Sequence, residues 1–233
     1  MTAFIKVCGK LVEGFFIKRL TRFSALVELE NGIFEVFLPN PGRLRELLYF
    51  GARVVLEKTA HKGRKTAYDL IGVYHEGRKV SIDSRVPNRL VFEALKNEAL
   101  KEFAEYSTIK PEPFYGPTRF DFLLGNHKEL CLLEVKSCTL VRDGIAMFPD
   151  AKTERGTRHV MELLKAKREG YRACLLFIIQ RKDAHSFSPA DDVDKKFGEA
   201  LRQAFKGGVE VYAYSSEFME DKVMLRSEVR VKL

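Results

Sequence analysis

Residues 118–136, Thr-Arg-Phe-Asp-Phe-Leu-Leu-Gly-Asn-His-Lys-Glu-Leu-Cys-Leu-Leu-Glu-Val-Lys, set charged side chains inside two otherwise apolar runs. Phe120 to Leu124 and Leu130 to Lys136 read as buried strands, and Gly125 to Glu129 carries the Gly and Asn of a short hairpin connection. Side chains alternate across a strand, so Leu130, Leu132, Glu134 and Lys136 share one face while Cys131, Leu133 and Val135 share the other. A four-residue loop over Asn126 to Glu129 pairs Gly125 with Leu130 and sets Asp121 opposite Glu134, with Cβ atoms about 5 Å apart.

Two like charges buried side by side are costly unless something neutralises them, and a divalent cation does so while using both sets of oxygens. The spacing therefore predicts a metal site at Asp121 and Glu134. Lys136, on the same face, is a point charge suited to holding a water or a phosphate oxyanion. The alternative for the same residues is a buried Asp-Lys or Glu-Lys ion pair in a structural hairpin.

Asp121 with Glu134-Val135-Lys136 resembles the active-site motif of the PD-(D/E)XK nuclease superfamily, and the surrounding text resembles one family within it, the sugar fermentation stimulation protein (SfsA) family. The matching segments are 39–43 (Pro-Asn-Pro-Gly-Arg), 87–90 (Pro-Asn-Arg-Leu) with 93–95 (Glu-Ala-Leu), 119–124, 134–137 and 148–156 with His159. The family usually has threonine where Pro41 stands, and Phe120 precedes Asp121 where the superfamily has proline. Neither departure removes a proposed ligand. The resemblance implies a metal-dependent phosphodiesterase with Mg²⁺ or Mn²⁺ on Asp121 and Glu134, assisted by the Val135 carbonyl, and Lys136 positioning the attacking water. A glutamate from the helix before the hairpin often completes such a site. Glu93, in the matching Glu-Ala-Leu, is that candidate in preference to Glu98. Arg119 belongs to the same motif and is a candidate nucleic-acid contact.

The chain has 233 residues, 45% hydrophobic and 31% charged, which suits one large or two small soluble domains. There is no run of eighteen or more apolar residues, and the first residues have neither a basic n-region nor a signal-length hydrophobic stretch, which predicts a cytoplasmic protein with no membrane contact. Cys8, Cys131, Cys138 and Cys174 lack metal-ligand spacing, so reduced thiols are expected and a zinc site is not. Net charge is +8; residues 1–83 hold 14 Lys and Arg against 9 Asp and Glu, and 84–233 hold 26 against 23. The shorter N-terminal part is the more basic per residue, which favours a polyanionic partner such as nucleic acid, DNA in preference to RNA. The sequence is compatible with a homodimer and does not say how many chains assemble.

Val12 to Arg19, Phe23 to Glu30, Ile33 to Leu38, Ala52 to Lys58, Ala67 to Tyr74 and Lys79 to Ile82 read as short strands, with Asn31-Gly32 as a hairpin turn and Leu44 to Leu48 as a single helical turn. Such a succession suits a small OB-type barrel over residues 1–83. Phe15, Phe16, Phe23, Phe34 and Phe37, with Arg19, Arg22, Arg43, Arg45, Arg64 and Lys65, could stack and neutralise a single strand, although alternating phenylalanines equally fill a barrel core. Arg22 and Arg43, beside turn signals, are the preferred contacts, and residues 61–65 form a basic loop.

Asp83 to Pro87 marks a boundary, after which Asn88 caps a helix reaching about Ala104. Ser137 to Met147 holds one or two strands. Thr153 to Glu169 is an amphipathic helix ended by Gly170, and its first turns carry Arg155, Arg158 and His159, a natural phosphate site. Cations at the positive end of a helix dipole are unfavourable unless an anion lies near. Tyr171 to Gln180 and Val209 to Tyr214 read as strands about a helix over Asp192 to Lys206, with His185 to Pro189 a loop and Val229 to Leu233 a final edge strand. The expected architecture is α/β with two domains, the barrel followed at 84–233 by a restriction-endonuclease-like mixed sheet flanked by helices. The expected function is a metal-dependent nuclease. Its rivals are a non-enzymatic DNA-binding regulator of sugar metabolism, which the family's name invites, and a small-nucleotide phosphodiesterase, which leaves the basic barrel unexplained.

Overall fold

The computed structural model describes residues 3–59 and 65–233. The first strand, β1 (Phe4–Lys6), crosses to the far domain and pairs there. Five strands then close a barrel: β2 (Leu11–Thr21), β3 (Ser24–Leu29), β4 (Gly32–Phe37), β5 (Arg53–Lys58) and β6 (Tyr68–His75), with β7 (Arg78–Ser81) hairpinned onto β6. The order β4-β3-β2-β5-β6 is closed by a parallel β4–β6 pairing at Phe37 and Asp69, the OB topology. Branched and aliphatic side chains at alternate positions, including Val27, Val36, Val54, Leu56 and Leu70, fill its interior. Of the five phenylalanines, Phe16 is buried, Phe34 and Phe37 are half-buried, and Phe15 and Phe23 are exposed. The β3–β4 turn falls one residue earlier than Asn31-Gly32 predicts: Leu29 pairs with Gly32, Glu30 and Asn31 make the turn, and Gly32, at φ +129°, opens the strand. Of the basic loop at 61–65, residues 61–64 lie outside the described residues.

Helix α1 (Val86–Lys96) follows, shorter than its periodicity predicts. Pro87 stands in its first turn, where a missing N–H costs nothing. Arg85 rather than Asn88 holds the N-cap position, and the chain beyond Asn97 makes only a 3₁₀ turn at Lys101–Phe103. Then come β8 (Thr108–Pro111), the small hairpin β9 (Phe114–Tyr115) and β10 (Thr118–Arg119), β11 (Phe122–Gly125), β12 (Leu130–Cys138), β13 (Leu140–Arg142) and β14 (Ile145–Phe148). Helix α2 (Glu154–Arg168), β15 (Arg172–Ile179), β16 (Ser186–Pro189), α3 (Asp191–Lys206), β17 (Glu210–Met219), β18 (Lys222–Glu228) and β19 (Arg230–Val231) complete the chain.

The main sheet has the order β1-β18-β17-β15-β12-β11-β8, with β12, β15 and β17 parallel and the outer pairings antiparallel. Both faces are covered, as the near-continuous apolar run of β15 requires. Leu133, Val135 and Cys131 pack with Leu90, Val91 and Ala94 of α1, whereas Leu132, Leu175 and Phe177 pack with Val160 and Leu163 of α2 and Phe197 and Leu201 of α3. Residues 186–189 form a strand and not a loop: β16 adds to a second sheet, β13-β14-β16-β19, in which β19 is the edge. Among the described residues no helix is long and apolar enough to cross a membrane.

Two contacts fix the parts around the site. Asp194 takes a non-helical conformation inside α3; its Oδ1 accepts from Phe197 N at 3.2 Å and its Oδ2 from Thr153 N at 2.8 Å, which pins the start of α2. Between the domains, Ser81 Oγ donates to Gln180 Oε1 at 2.6 Å while Gln180 Nε2 donates to Ser137 Oγ at 3.0 Å.

Candidate active site

The β11–β12 hairpin has the register that its loop length predicts, Gly125 opposite Leu130 and Phe122 opposite Leu133. One step further along that register Asp121 reaches β12, where its Oδ2 accepts from Val135 N at 2.7 Å and its Oδ1 from Asn88 Nδ2. Glu134 is 4% exposed on the α2 face. Its Oε1 is shared by Lys136 Nζ and, at 2.6 Å, by His159 Nδ1. Arg155 Nε donates to His159 Nε2 at 3.3 Å, so Nε2 is the accepting nitrogen and Nδ1 carries the proton given to Glu134. The other carboxylate oxygen, Glu134 Oε2, is buried without a partner among the described residues.

The two carboxyls respond oppositely to this environment. Burial, then the charge of Glu134, pushes Asp121 up to about 6 against the opposing pull of Val135 N–H, Lys136 and Asn88. Burial also works to raise Glu134, but Lys136 and then His159 outweigh it and hold this carboxyl below its usual range. The result is an ionised glutamate with one orphaned oxygen beside an aspartate that its surroundings keep from ionising freely. Hard oxygen donors that repel each other fit a hard divalent cation, which would satisfy Oε2 and remove the reason for the raised Asp121. Among the described residues no group of three His, Cys, Asp or Glu side chains gathers, so waters, backbone or substrate oxygens would complete the shell.

Glu93 does not join this pair. Its carboxylate lies 3.4 Å from Lys96 Nζ on the exposed side of α1, because Asn88 and Phe92, four apart, are the side chains that α1 turns to β11; Phe92 stacks on Phe122 and Asn88 meets Asp121. Glu98 is exposed and stands beyond the helix end. His159, expected as a nucleic-acid contact, is 4% exposed and acts on Glu134. Arg155 and Arg158 are exposed at the start of α2, and Arg119 is exposed with Glu112 at 3.6 Å. Arg22 and Arg43 are exposed on the barrel rim, with the Arg22 guanidinium 5.4 Å above the Phe23 ring. Asn88 is the site residue that sequence reasoning missed: its position after Pro87 reads as a cap, and only the β11 register reveals that it reaches an aspartate 33 residues away.

Arg19 is structural and not a free cation. Its guanidinium donates to the carbonyls of Thr21, Arg22, Asn40, Gly42 and Arg43, clamping the 40–43 loop to the end of β2. Arg19→Ala is expected to lower stability by about 1–3 kcal/mol, since several carbonyls lose a charged donor. Denaturant titration checks this, and an unchanged midpoint refutes the clamp.

Residues 17–82 match the family model described as the SfsA N-terminal OB domain, and residues 85–222 match that described as the sugar fermentation stimulation protein RE domain. A sugar fermentation stimulation protein homolog of Caldanaerobacter subterraneus subsp. tengcongensis is 47% identical over 96% of this chain and 97% of its own length. One from Clostridium tetani is 48% identical over 94% and 95%. Among solved structures, that of Pyrococcus furiosus SfsA in complex with Ca²⁺ superposes with a TM-score of 0.90 at 31% identity, covering 98% of this chain and all of the other.

Proposed function

The chain belongs to the sugar fermentation stimulation protein family, and we propose that it is a divalent-metal-dependent nuclease whose OB barrel binds the nucleic-acid strand, DNA being the favoured substrate. The observation that carries this reading is Glu134 Oε2, buried without a partner among the described residues, beside an Asp121 that is pushed up to about 6. The Ca²⁺ in the Pyrococcus furiosus relative supports a cation-binding role for this fold. Mg²⁺ or Mn²⁺, when bound, would supply polarisation of the phosphodiester and acidification of a water.

Asp121 and Glu134 would hold that cation. Asn88 and Val135 N–H fix Asp121 by one hydrogen bond on each oxygen, and His159, itself held by Arg155, fixes Glu134. Lys136, with a side chain only 12% exposed, offers its charge where negative charge grows on the phosphoryl oxygens. The barrel and the exposed Arg22, Arg43, Arg155 and Arg158 would attract the polyanion.

The test is a panel of labelled single- and double-stranded DNA and RNA incubated with Mg²⁺, Mn²⁺ or EDTA. Cleavage is expected with metal only, and it should vanish in Glu134→Gln. One observation favours a second reading, a DNA-binding regulator on a nuclease scaffold: the direct Lys136–Glu134 ion pair is also what a site kept only for shape would retain. Binding without cleavage across the whole panel decides for that reading.

A further inference from the structure

A groove of about 220 Å³ lies between the barrel and the second domain, and its walls include Arg22, Ser84, Ser137, Thr139, Lys152 and Thr153. Three of these residues adjoin the site along the chain. Ser84 precedes the first turn of α1, which carries Asn88; Ser137 follows Lys136; Thr153 caps the helix that carries His159.

The groove's uncommitted groups are donors. The Arg22 guanidinium and the Lys152 ammonium have no hydrogen-bond or ion-pair partner among the described residues, and Ser137 Oγ accepts from Gln180 Nε2, which leaves its own O–H to give. The one carboxylate in the wall, Asp150, is turned to the barrel backbone: its Oδ2 accepts from Leu44 N at 3.3 Å, and a Cβ on Gly42 would come within 2.4 Å of the same oxygen. Arg22 is held in place by stacking. It lies over Phe23, Phe23 stacks on Phe37 at 6.4 Å, and Arg85, anchored on Asp83 and Asp69, covers Phe37. A planar guanidinium so fixed can contact a phosphate with its edge or a base with its free face.

Size then separates single from paired strands. Pockets that enclose a drug-sized ligand, which is about the size of one nucleotide, begin at about 300 Å³, so this groove takes part of one nucleotide and cannot enclose a base pair. We propose that the groove is a single-strand subsite, gripping one nucleotide next to the scissile bond with its phosphate between Arg22 and Lys152, and thereby restricting the substrate to unpaired nucleic acid. The scissile bond belongs to the nuclease reading, on which this inference rests; the gripping itself does not need cleavage.

The experiment is anisotropy binding by the full chain in EDTA, with labelled oligo-dT, oligo-U and a blunt hairpin duplex of equal phosphate count. Either single strand should bind at least about tenfold tighter than the duplex, and the dT and U arms tell DNA from RNA. The double variant Arg22→Ala/Lys152→Ala should lose tenfold or more on single strands. Its salt slope should be flatter by about 0.7, since the one phosphate held between the two cations contributes roughly that much on a single strand. Arg22→Lys/Lys152→Arg should restore most of the Lys152 contribution and less of Arg22's, because an ammonium does not stack as a guanidinium does. Duplex binding as tight as single-strand binding, or a double variant that weakens both equally, overturns the subsite. Single-strand preference with no cleavage under any metal would leave the groove standing and remove the nuclease, whereas equal cleavage of duplex and single strand would do the reverse.

Discussion

Lys136→Ala is expected to lower the metal-dependent cleavage rate by a factor of about 10² or more, the scale at which removing one preorganised charge from a reacting phosphoryl group is felt. The side chain is largely buried and aimed at Glu134 Oε1, so its charge is neither diluted by solvent nor free to wander. Nucleic-acid affinity should change little, because Lys136 is one of 40 Lys and Arg residues and the long-range attraction is distributed among them. The truncation also leaves Glu134 with His159 alone on Oε1, so some loss of stability is expected. Lys136→Met, which keeps the volume of the stem, separates the two effects: it should retain the packing and lose the cleavage. Single-turnover rates with Mn²⁺, alongside melting curves, are the measurement. Wild-type cleavage in both variants would exclude Lys136 from the chemistry.

The hairpin was legible because its information is local. Alternation and loop length are properties of consecutive residues, so the opposition of Asp121 and Glu134 and the placement of Lys136 on the same face follow from residues 120–136 alone. The OB barrel was legible for the same reason, as were α2 and the buried β15. What escaped was set by distant partners. β1 has three residues and no pattern of its own; it exists because β18 offers an edge. β16 reads as a loop, since Ser186–Pro189 contains a proline, yet β14 and β19 on its two sides make it a strand. Glu93 lies with Lys96 and away from the carboxylate pair as a matter of helix phase, because periodicity says which residues share a face but not which face meets the hairpin. The burial of His159 escaped for a related reason: three basic residues in one helical turn look alike in sequence, and only the packing of α2 on β12 turns one of them inward.

Asp121→Asn is expected to stabilise the metal-free protein at neutral pH while strongly weakening its metal affinity. In the fold this carboxyl is raised from 3.8 to about 6, so the folded state binds its proton more tightly than the unfolded chain does. Its contribution to stability is therefore fully present below about pH 3.8 and is lost as pH rises through about 6; a rise of that size corresponds to about 3 kcal/mol. Asparagine is neutral throughout and stands in for the protonated acid. Its oxygen can take the Val135 N–H, and Asn88 can turn its amide to accept from the new NH₂, so neither hydrogen bond need be lost. In EDTA the variant should melt together with wild type near pH 4 and progressively above it as pH rises to 7.5. At 2–4 °C per kcal/mol for a chain of this size, the full gap is about 6–12 °C. The order should invert with Mn²⁺: wild type gains stability by binding, whereas the variant, short of one anionic ligand, binds at least about 10²-fold more weakly by calorimetric titration. A variant that is less stable than wild type in EDTA at pH 7.5, or that binds Mn²⁺ equally well, would show that the strain on Asp121 is not what a cation relieves.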